Sequence, residues 1–230
     1  MRPTGSDQGY IPIGIIARGR IPGPGNTSGR APVTDAMTTK PRSPAAQRLR
    51  TVAKDLFYRQ GIRATGVEEL CRMAGTTKIS LYRAYPSKDE LIAAILREEC
   101  EDQTCLISRA SDPAVPPRGR PAACIAAAVE ALRTPGFRGC SVGLAIAEFP
   151  DPEHPARKVA DAHKLKTRED LRQLCAEAGA ADPAMLGDAL LLLVEGAFSA
   201  APDLGNEEAA RVLERSSGAL LATALPAAEA

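Results

Sequence analysis

The stretch TGVEELCRMAGTTKISLYRAYPSKDEL, residues 65–91, divides into two short helices and the start of a third. Apolar residues recur at helical spacing in its first part, until Gly75 breaks the pattern. Thr76 or Thr77 is a suitable N-cap for the second helix, which Pro86 stops. Two short helices joined by a glycine-containing turn, after one longer helix, predict a helix-turn-helix.

The longer helix is predicted over about residues 44–60, with Ser43 as its N-cap and Gly61 at its end. Thr65 is followed three residues later by an acidic residue, and this spacing predicts a capping box at the start of the second helix. A fourth helix, capped by Ser87, is expected to run to about residue 108 because its apolar residues keep the helical spacing.

The predicted third helix has an outer face of hydroxyls and cations. We expect Leu81 and Ala84 to face inward, toward the second helix. Five polar side chains then lie on the more exposed faces: Thr77, Lys78, Ser80, Tyr82 and Arg83. Such groups bond phosphate oxygens and base edges, and an exposed Ile79 has a natural partner in a thymine methyl of the major groove. The alternative is a small helical subdomain with a solvated polar face.

The run from Leu49 to Leu96 resembles the N-terminal domain of TetR/AcrR-family transcriptional regulators. The resemblance rests on Ala53, Leu56, Phe57, Gly61, Ala64-Thr65, Val67, Leu70, Ala74-Gly75, Lys78, Leu81-Tyr82, Tyr85, Ser87-Lys88, Leu91 and Ile92, which match in order and without a gap. Three places depart from the family pattern: Thr76 replaces a usual valine, Ile79 replaces a small residue, and Ala84-Tyr85 replaces a polar residue and phenylalanine. Since Ile79 changes a base-facing surface, the family's usual operator preference is not carried over.

The resemblance implies a role for each matching residue. Base edges would be contacted by Thr77, Lys78, Ile79 and Ser80. Phosphates would be contacted by Tyr82, Arg83, Thr65 at the start of the second helix and Lys88 at the start of the fourth. Tyr85 stands at an inward-facing family position, so we expect it in the core.

Beyond the linker SDPAVPPRGRP, residues 111–121, the chain favours helices near residues 122–133, 141–148, 156–178, 183–200 and 207–224. No stretch shows sustained strand alternation. The predicted fold is all-α, with an N-terminal three-helix helix-turn-helix DNA-binding domain at residues 44–90. A C-terminal helical domain at residues 91–230 follows, and the resemblance implies ligand binding and dimerisation there.

The first 43 residues are rich in Gly, Pro, Thr and Arg and show no regular period, so we expect a disordered tail. Met37 is an alternative start that would remove most of this tail. The functional alternative is a basic arm that contacts DNA.

The helix MLGDALLLLVEGAFSA, residues 185–200, is apolar nearly all round, which predicts burial against its own core and against a partner. The residues predicted to form the dimer interface are Leu190, Leu193, Gly196, Ala197 and Ala200. With the helix near residues 156–178, this helix is expected to form a four-helix interface in a twofold dimer. The alternative is an ordinary central core helix.

The segment GFRGCSVGLAIAEFPDPEHP, residues 136–155, resembles a sub-group of the same family. That resemblance implies an effector cavity lined by Leu144, Ile146 and Phe149. His163 falls on the inward face of its helix, so it is a candidate hydrogen-bonding anchor for the effector. A satisfied core histidine and a metal ligand are the alternatives for this residue.

Composition narrows the function classes. The 230 residues are 44% hydrophobic and 25% charged, and they contain no signal-like or long apolar run, so we expect a cytoplasmic protein without a membrane partner. Six cysteines without a CxxC pair and two histidines do not form a zinc framework, and no metal or cofactor is expected. We expect the cysteines as buried hydrophobes, with redox sensing by Cys140 as an alternative.

The charge is unevenly distributed along the chain. Residues 1–41 carry a net +3, residues 42–100 a net +4 and residues 101–230 a net −6. A basic front half suits contact with a polyanion.

These observations predict a ligand-responsive DNA-binding transcriptional regulator, a repressor released from a palindromic operator by a small molecule. Its partners would be double-stranded DNA, a small-molecule effector and a second copy of the chain. No nucleophile elbow, phosphate loop or HExxH motif is present, so an enzyme is not expected. The alternative is a DNA-binding protein whose C-terminal domain recruits a protein partner.

Overall fold

The computed structural model describes residues 43–103 and 105–225. Within these ranges all regular secondary structure is helical. The helices are α1 (Pro44–Gln60), α2 (Val67–Met73), α3 (Lys78–Ala84), α4 (Lys88–Gln103), α5 (Cys105–Ala110), α6 (Arg120–Leu132), α7 (Ser141–Glu148), α8 (Pro155–Glu177), α9 (Pro183–Leu204) and α10 (Asn206–Ala224). The all-α prediction is confirmed. The expectations for the tail and for Met37 lie outside the described residues.

Local capping explains why the first helices begin and end where they do. The Ser43 hydroxyl accepts the Ala46 N–H at 3.3 Å, with a proline in the first helical position. α1 ends at Gly61, whose φ of 99° lies in the region that favours glycine. Thr77, rather than Thr76, caps α3, since its hydroxyl accepts the N–H of Ser80 at 3.2 Å.

The predicted capping box at Thr65 is wrong. α2 begins after Gly66, and no side chain caps it. Thr65 is fully buried, and its hydroxyl donates to the Gly61 carbonyl at 2.8 Å instead. This hydrogen bond holds the α1–α2 turn closed and leaves the hydroxyl no route to the surface.

The core of the N-terminal domain extends past the predicted boundary at residue 90. Its buried residues come from α1, α2 and α3, and also from α4, which supplies Leu91, Ile92, Ile95 and Leu96. Ala145 and Phe149 near α7, with Ala156 of α8, belong to the same cluster. α4 therefore packs in both halves of the molecule.

Helical structure continues past Gln103, because α5 runs from Cys105 to Ala110, and residue 104 between them lies outside the described residues. The prediction that the fourth helix runs to about residue 108 therefore stays a prediction. Past the linker, α6, α9 and α10 share a second core around Leu132, Leu190 and Leu213.

The contact between α8 and α9 depends on one glycine. A Cβ placed on Gly187 would lie 2.8 Å from the backbone N and Cα of Arg172. Arg168 and Arg172 both donate two hydrogen bonds to the carboxylate of Asp188, at 2.6 to 2.8 Å. This arginine–aspartate contact fixes the register of the two helices where their backbones are closest.

By length and composition alone α9 is apolar enough to cross a membrane, the one such helix in the part of the chain described. Its inner face belongs to the second core through Leu186, Leu190, Val194 and Phe198. A core helix with an apolar outer face meets the same criterion, so the finding is weak evidence for a membrane span.

Candidate DNA-binding surface and effector cavity

The outer face of α3 carries the polar side chains that the sequence predicted. Ile79 is 73% exposed and Tyr82 48% exposed. Thr77, Lys78, Ser80 and Arg83 are also exposed. This patch, called the α3 surface below, brings two cations, two aliphatic hydroxyls, a phenol and one bare isoleucine to one face of the domain. Seven of the eight residues predicted for DNA contact are at least partly accessible, and Thr65 is the exception.

One acidic residue intrudes on the α3 surface. The ammonium of Lys78 lies 2.5 Å from a carboxylate oxygen of Glu68 at the start of α2. Hydrogen bonding to Lys78 lowers the pKa of the Glu68 carboxyl, and the same contact raises the pKa of Lys78. Both groups are exposed, so water and salt weaken this pair and a phosphate can compete for the lysine.

Fewer residues of α3 face inward than predicted. Leu81 is fully buried, whereas Ala84 is exposed, so the inward orientation predicted for Ala84 is wrong. The helix ends at Ala84, and the chain then turns extended at Tyr85, whose ring takes the inward position. The prediction that Tyr85 lies in the core is confirmed.

The remaining two predicted phosphate contacts differ in their surroundings. The side chain of Thr65 is buried, so the expected phosphate contact from this hydroxyl is wrong. Lys88 is half-buried and donates to the Ile62 carbonyl at 2.8 Å. Burial lowers the pKa of Lys88, although the nearby acids Asp89 and Glu148 oppose this.

The C-terminal end of α1 is tied to the loop between α6 and α7. The Tyr58 hydroxyl donates to the Gly139 carbonyl at 3.1 Å and accepts the Arg138 N–H at 2.6 Å. The Arg138 guanidinium in turn donates to the carbonyls of Tyr58 and Arg59. A cation at the C-terminus of a helix is favourable because it meets unpaired carbonyls and the negative end of the helix dipole.

A second tie joins the α1–α2 turn to the end of α7. The Glu148 carboxylate accepts the backbone N–H groups of Ile62 and Arg63 at 2.8 and 2.7 Å. Together with the Tyr58–Arg138 contacts, this forms what we call the interdomain tie. It connects the N-terminal helices to the C-terminal helices independently of α4.

The structure does not bring the predicted effector residues together. Phe149 is buried in the N-terminal core, stacked on His154 with ring centroids 4.0 Å apart, so its predicted role as a cavity wall is wrong. Leu144 lines a small space of about 30 Å³ between α1, α4 and α7. Ile146 is half-buried and lines neither that space nor the cavity beside His163.

His163 lines a cavity enclosed by α5, α6, α8 and α9, with a volume of about 50 Å³. Most of its wall is apolar and comes from Leu106, Ile107, Leu171, Leu191, Val194 and Phe198. Burial and the neighbouring Lys164 lower the pKa of His163, so its imidazole is neutral at pH 7.

A charged group that the sequence did not point to lies at one end of this cavity, called the Lys164 cavity below. The Lys164 ammonium donates to a Glu195 carboxylate oxygen at 2.5 Å and to the Cys140 sulfur at 3.6 Å. Burial lowers the pKa of Lys164, but its interactions with Cys140 and Glu195 outweigh burial, so the pKa is raised and the ammonium stays charged. Cys140 and Glu195 lie 24 and 31 positions from Lys164 in the sequence, so no local sequence pattern predicts this contact.

The structure describes the side chains of five cysteines, and three of them are buried as predicted. Cys71, Cys124 and Cys175 are buried, whereas Cys100 and Cys140 are half-buried. Burial raises the pKa of Cys124 to about 12 and that of Cys175 to about 11, which keeps both thiols protonated.

The predicted dimer residues divide between two faces of α9. Leu190 is fully buried within its own chain, so its predicted place at an interface is wrong. Leu193, Ala197 and Ala200 are half-buried, and Gly196 is exposed with nothing within 4 Å of where its Cβ would lie. The outermost residues of the helix include Met185, 68% exposed, and Leu192, 73% exposed.

The outer sides of α10 and α8 differ in composition. On α10, Val212 is an exposed large apolar residue, and exposed Gly218 has open space around it. The outer side of α8 is mostly charged, with Leu165 as its one large exposed apolar side chain among the residues described. The predicted interface through α8 and α9 stays a prediction, and α10 is a second candidate for the helix beside α9.

Known proteins share both the N-terminal pattern and the whole fold. Residues 49–95 match the model of the bacterial regulatory proteins of the tetR family. A TetR-family transcriptional regulator from Streptomyces coelicolor is 29% identical, with a TM-score of 0.75 over 78% of this chain and 95% of that one. A putative TetR transcriptional regulator from Streptomyces avermitilis is 31% identical, with a TM-score of 0.69 over 79% of this chain and 98% of that one.

A regulatory protein TetR from Rhodobacter sphaeroides has the same fold, at 24% identity and a TM-score of 0.67 over 77% of this chain and 99% of that one. The likeness to the Streptomyces avermitilis protein spans nearly all of that protein's length. The helix-turn-helix, the all-helical second domain and these matches together show that the chain belongs to the TetR family of transcriptional regulators.

Proposed function

We propose that this protein is a cytoplasmic, ligand-responsive repressor that binds a palindromic operator as a homodimer and is released from it by a small molecule. The observation that carries the proposal is the α3 surface. Its exposed Thr77, Lys78, Ile79 and Ser80 suit contact with base edges, and Tyr82 and Arg83 suit contact with phosphates.

The α3 surface would enter the major groove at its N-terminal end, where the hydroxyls of Thr77 and Ser80 already bond one another at 3.1 Å. Lys88 would support the backbone contacts beyond the groove, once it releases the Ile62 carbonyl. The net positive charge of residues 42–100 favours association with DNA of any sequence.

A homodimer formed through α9 and α10 would provide a second α3 surface, which contacts the second half of the palindrome. Two exposed glycines, Gly196 and Gly218, leave room for close approach of a partner helix, and Leu192 and Val212 offer apolar area to bury. A twofold axis through this face relates the two α3 surfaces, which must lie about 34–36 Å apart to read successive major grooves.

The release mechanism uses the interdomain tie. An effector in the Lys164 cavity would contact Lys164, whose ammonium donates to the Cys140 sulfur. Cys140 directly follows Gly139, whose carbonyl accepts the Tyr58 hydroxyl. A ligand that prefers a different position of this loop shifts α1 and the α3 surface with it. Coupling of this kind typically changes DNA affinity by about 1–3 kcal/mol. A mostly apolar cavity with a few charged side chains supports a small-molecule sensor rather than a recruiter of proteins.

The test is a mobility-shift titration of the full chain against duplexes from the region upstream of its own gene, at low salt. We expect a discrete complex on a palindromic duplex that disappears when either half-site is scrambled. If no duplex is retarded, or if scrambling a half-site changes nothing, the proposed function is wrong.

A further inference from the structure

The Lys164 cavity has the chemistry of a site for one particular class of ligand. We propose that it binds a short-chain aliphatic monocarboxylate, whose head group replaces Glu195 as the partner of Lys164. This inference rests on the proposed sensor function and names its effector class.

The charge balance of the cavity points to a single negative charge on the ligand. Lys164 is charged and its side chain is only 23% exposed. His163 is neutral at pH 7, and Lys166 is already paired with Asp170 at 2.7 Å. The half-buried Lys164 ammonium, now held by Glu195, is thus the cation to which a ligand anion would bind, and a carboxylate satisfies it with a charge-assisted hydrogen bond.

Glu195 is suited to give up its place. It lies on the flank of α9 toward α8, and its side chain is 38% exposed, so it gains hydration when it turns away. Lys164 has no such freedom, because leaving its ammonium buried without an anion is costly. In the proposed exchange the ligand carboxylate enters as the Glu195 carboxylate moves into water, while Lys164 stays in place.

The rest of the wall sets the character of the ligand's other end. Leu106, Ile107, Leu171, Leu191, Val194 and Phe198 present aliphatic and aromatic carbon to the cavity. Burying methylene groups there is worth about 0.8 kcal/mol each. The volume of about 50 Å³, enlarged by the departure of the Glu195 head group, suits a short chain. A phosphate, which has no apolar part and more than one charge, does not match this wall.

The experiment is a calorimetric titration of the full-length protein, without DNA, with sodium hexanoate as the probe. Parallel titrations use 1-hexanol and hexylamine, which share the tail, and sodium phosphate, which shares the charge. We expect hexanoate to bind at least tenfold more tightly than any of the three. Equal binding of hexanol would make the site a simple apolar pocket, and absence of hexanoate binding would overturn the proposal.

The two partners of the ion pair provide a sharper test, because the proposal gives them opposite effects. Lys164→Met removes the anchor, and hexanoate affinity should fall about tenfold or more. Glu195→Gln removes the competing carboxylate, and hexanoate affinity should rise severalfold. Lys158→Met is the matched control, because Lys158 is an exposed α8 lysine paired with Glu153 at 2.8 Å outside this cavity.

A merely structural ion pair predicts a different pattern: both substitutions would weaken hexanoate binding alike, and that result would overturn the proposal. Circular dichroism and thermal unfolding establish that each variant is folded. If Lys164→Met does not fold, the sign of the Glu195→Gln effect still decides the question. Operator binding without ligand is measured separately, so a failure of the proposed DNA-binding function is distinguishable from a failure of the effector assignment.

Discussion

Ile79 and Leu192 are equally exposed aliphatic side chains, at 73% each, yet their surroundings assign them to different partners. Ile79 stands among Lys78, Ser80 and Arg83, so its apolar tip lies within a field of donors and positive charge. Leu192 stands near exposed Gly196, on a helix whose outer face is apolar or small. Exposure alone therefore does not identify a partner, since polar neighbours favour DNA and small apolar neighbours favour a second protein chain.

The largest effect in this comparison is expected from placing a charge on the α9 face. Leu192→Arg should convert the dimer to a monomer, because a buried unpaired guanidinium opposes association. Operator affinity should fall about 100-fold, since a monomer reads one half-site. Sedimentation velocity and fluorescence anisotropy measure the two effects.

Leu165→Arg on α8 is the matched control, because Leu165 is also a large exposed leucine, at 56%, but lies on a charged surface. It should leave the dimer intact. A dimer that survives Leu192→Arg but not Leu165→Arg would return the interface to α8.

A second contrast concerns two glycines of α9. Gly187→Ala places a methyl 2.8 Å from the Arg172 backbone, so the free energy of unfolding should fall by about 1–3 kcal/mol. Gly196→Ala meets no atom of its own chain, and the gain in helix propensity is at most about 1 kcal/mol. Chemical denaturation compares them, and equal destabilisation would contradict the close α8–α9 contact.

On the α3 surface the same comparison separates specificity from affinity. Ile79→Ala should weaken binding to the operator about tenfold while leaving binding to unrelated DNA nearly unchanged, because a methyl contact is made to particular bases. Arg83→Ala should weaken both alike and reduce the salt slope by about one per half-site. If Ile79→Ala acts equally on both duplexes, the isoleucine does not read sequence.

The smallest effect is expected at Glu68. Glu68→Gln frees Lys78 and removes a negative charge from the DNA-facing side, so affinity for DNA should rise about threefold at low salt and the gain should fade as salt is added. Anisotropy titrations at two salt concentrations measure this. A loss of affinity would mean that the Lys78–Glu68 pair positions α3 rather than competing with DNA.

The same contrast explains how far the sequence could predict the structure. The α3 surface follows from local signals, because a seven-residue helix capped by Thr77 has one inward position, Leu81. The error at Ala84 arose because the helix ends there. The capping box predicted at Thr65 was wrong because a hydroxyl before a helix has two possible partners, and this one donates to the Gly61 carbonyl instead of capping α2.

The C-terminal half was less predictable for physical reasons. Because α9 is apolar nearly all round, its sequence does not indicate which side of the helix faces inward, and so it does not separate buried Leu190 from exposed Leu192. The Lys164 cavity is built from four helices, and a lysine within a charged helix reads as solvated surface until its distant partner Glu195 is placed beside it. Sequence patterns resolve which side chains lie on one helix, but not which helices enclose a cavity.

The salt dependence of operator binding tests most directly whether the α3 surface is the DNA-binding element. Anisotropy titrations of the full chain and of Arg83→Ala, on one palindromic duplex over a range of salt concentrations, give the two slopes. We expect tight, strongly salt-dependent binding by the unmodified chain and a slope smaller by about one per half-site for Arg83→Ala. Absence of binding at low salt, or identical slopes and affinities for the two proteins, would contradict it.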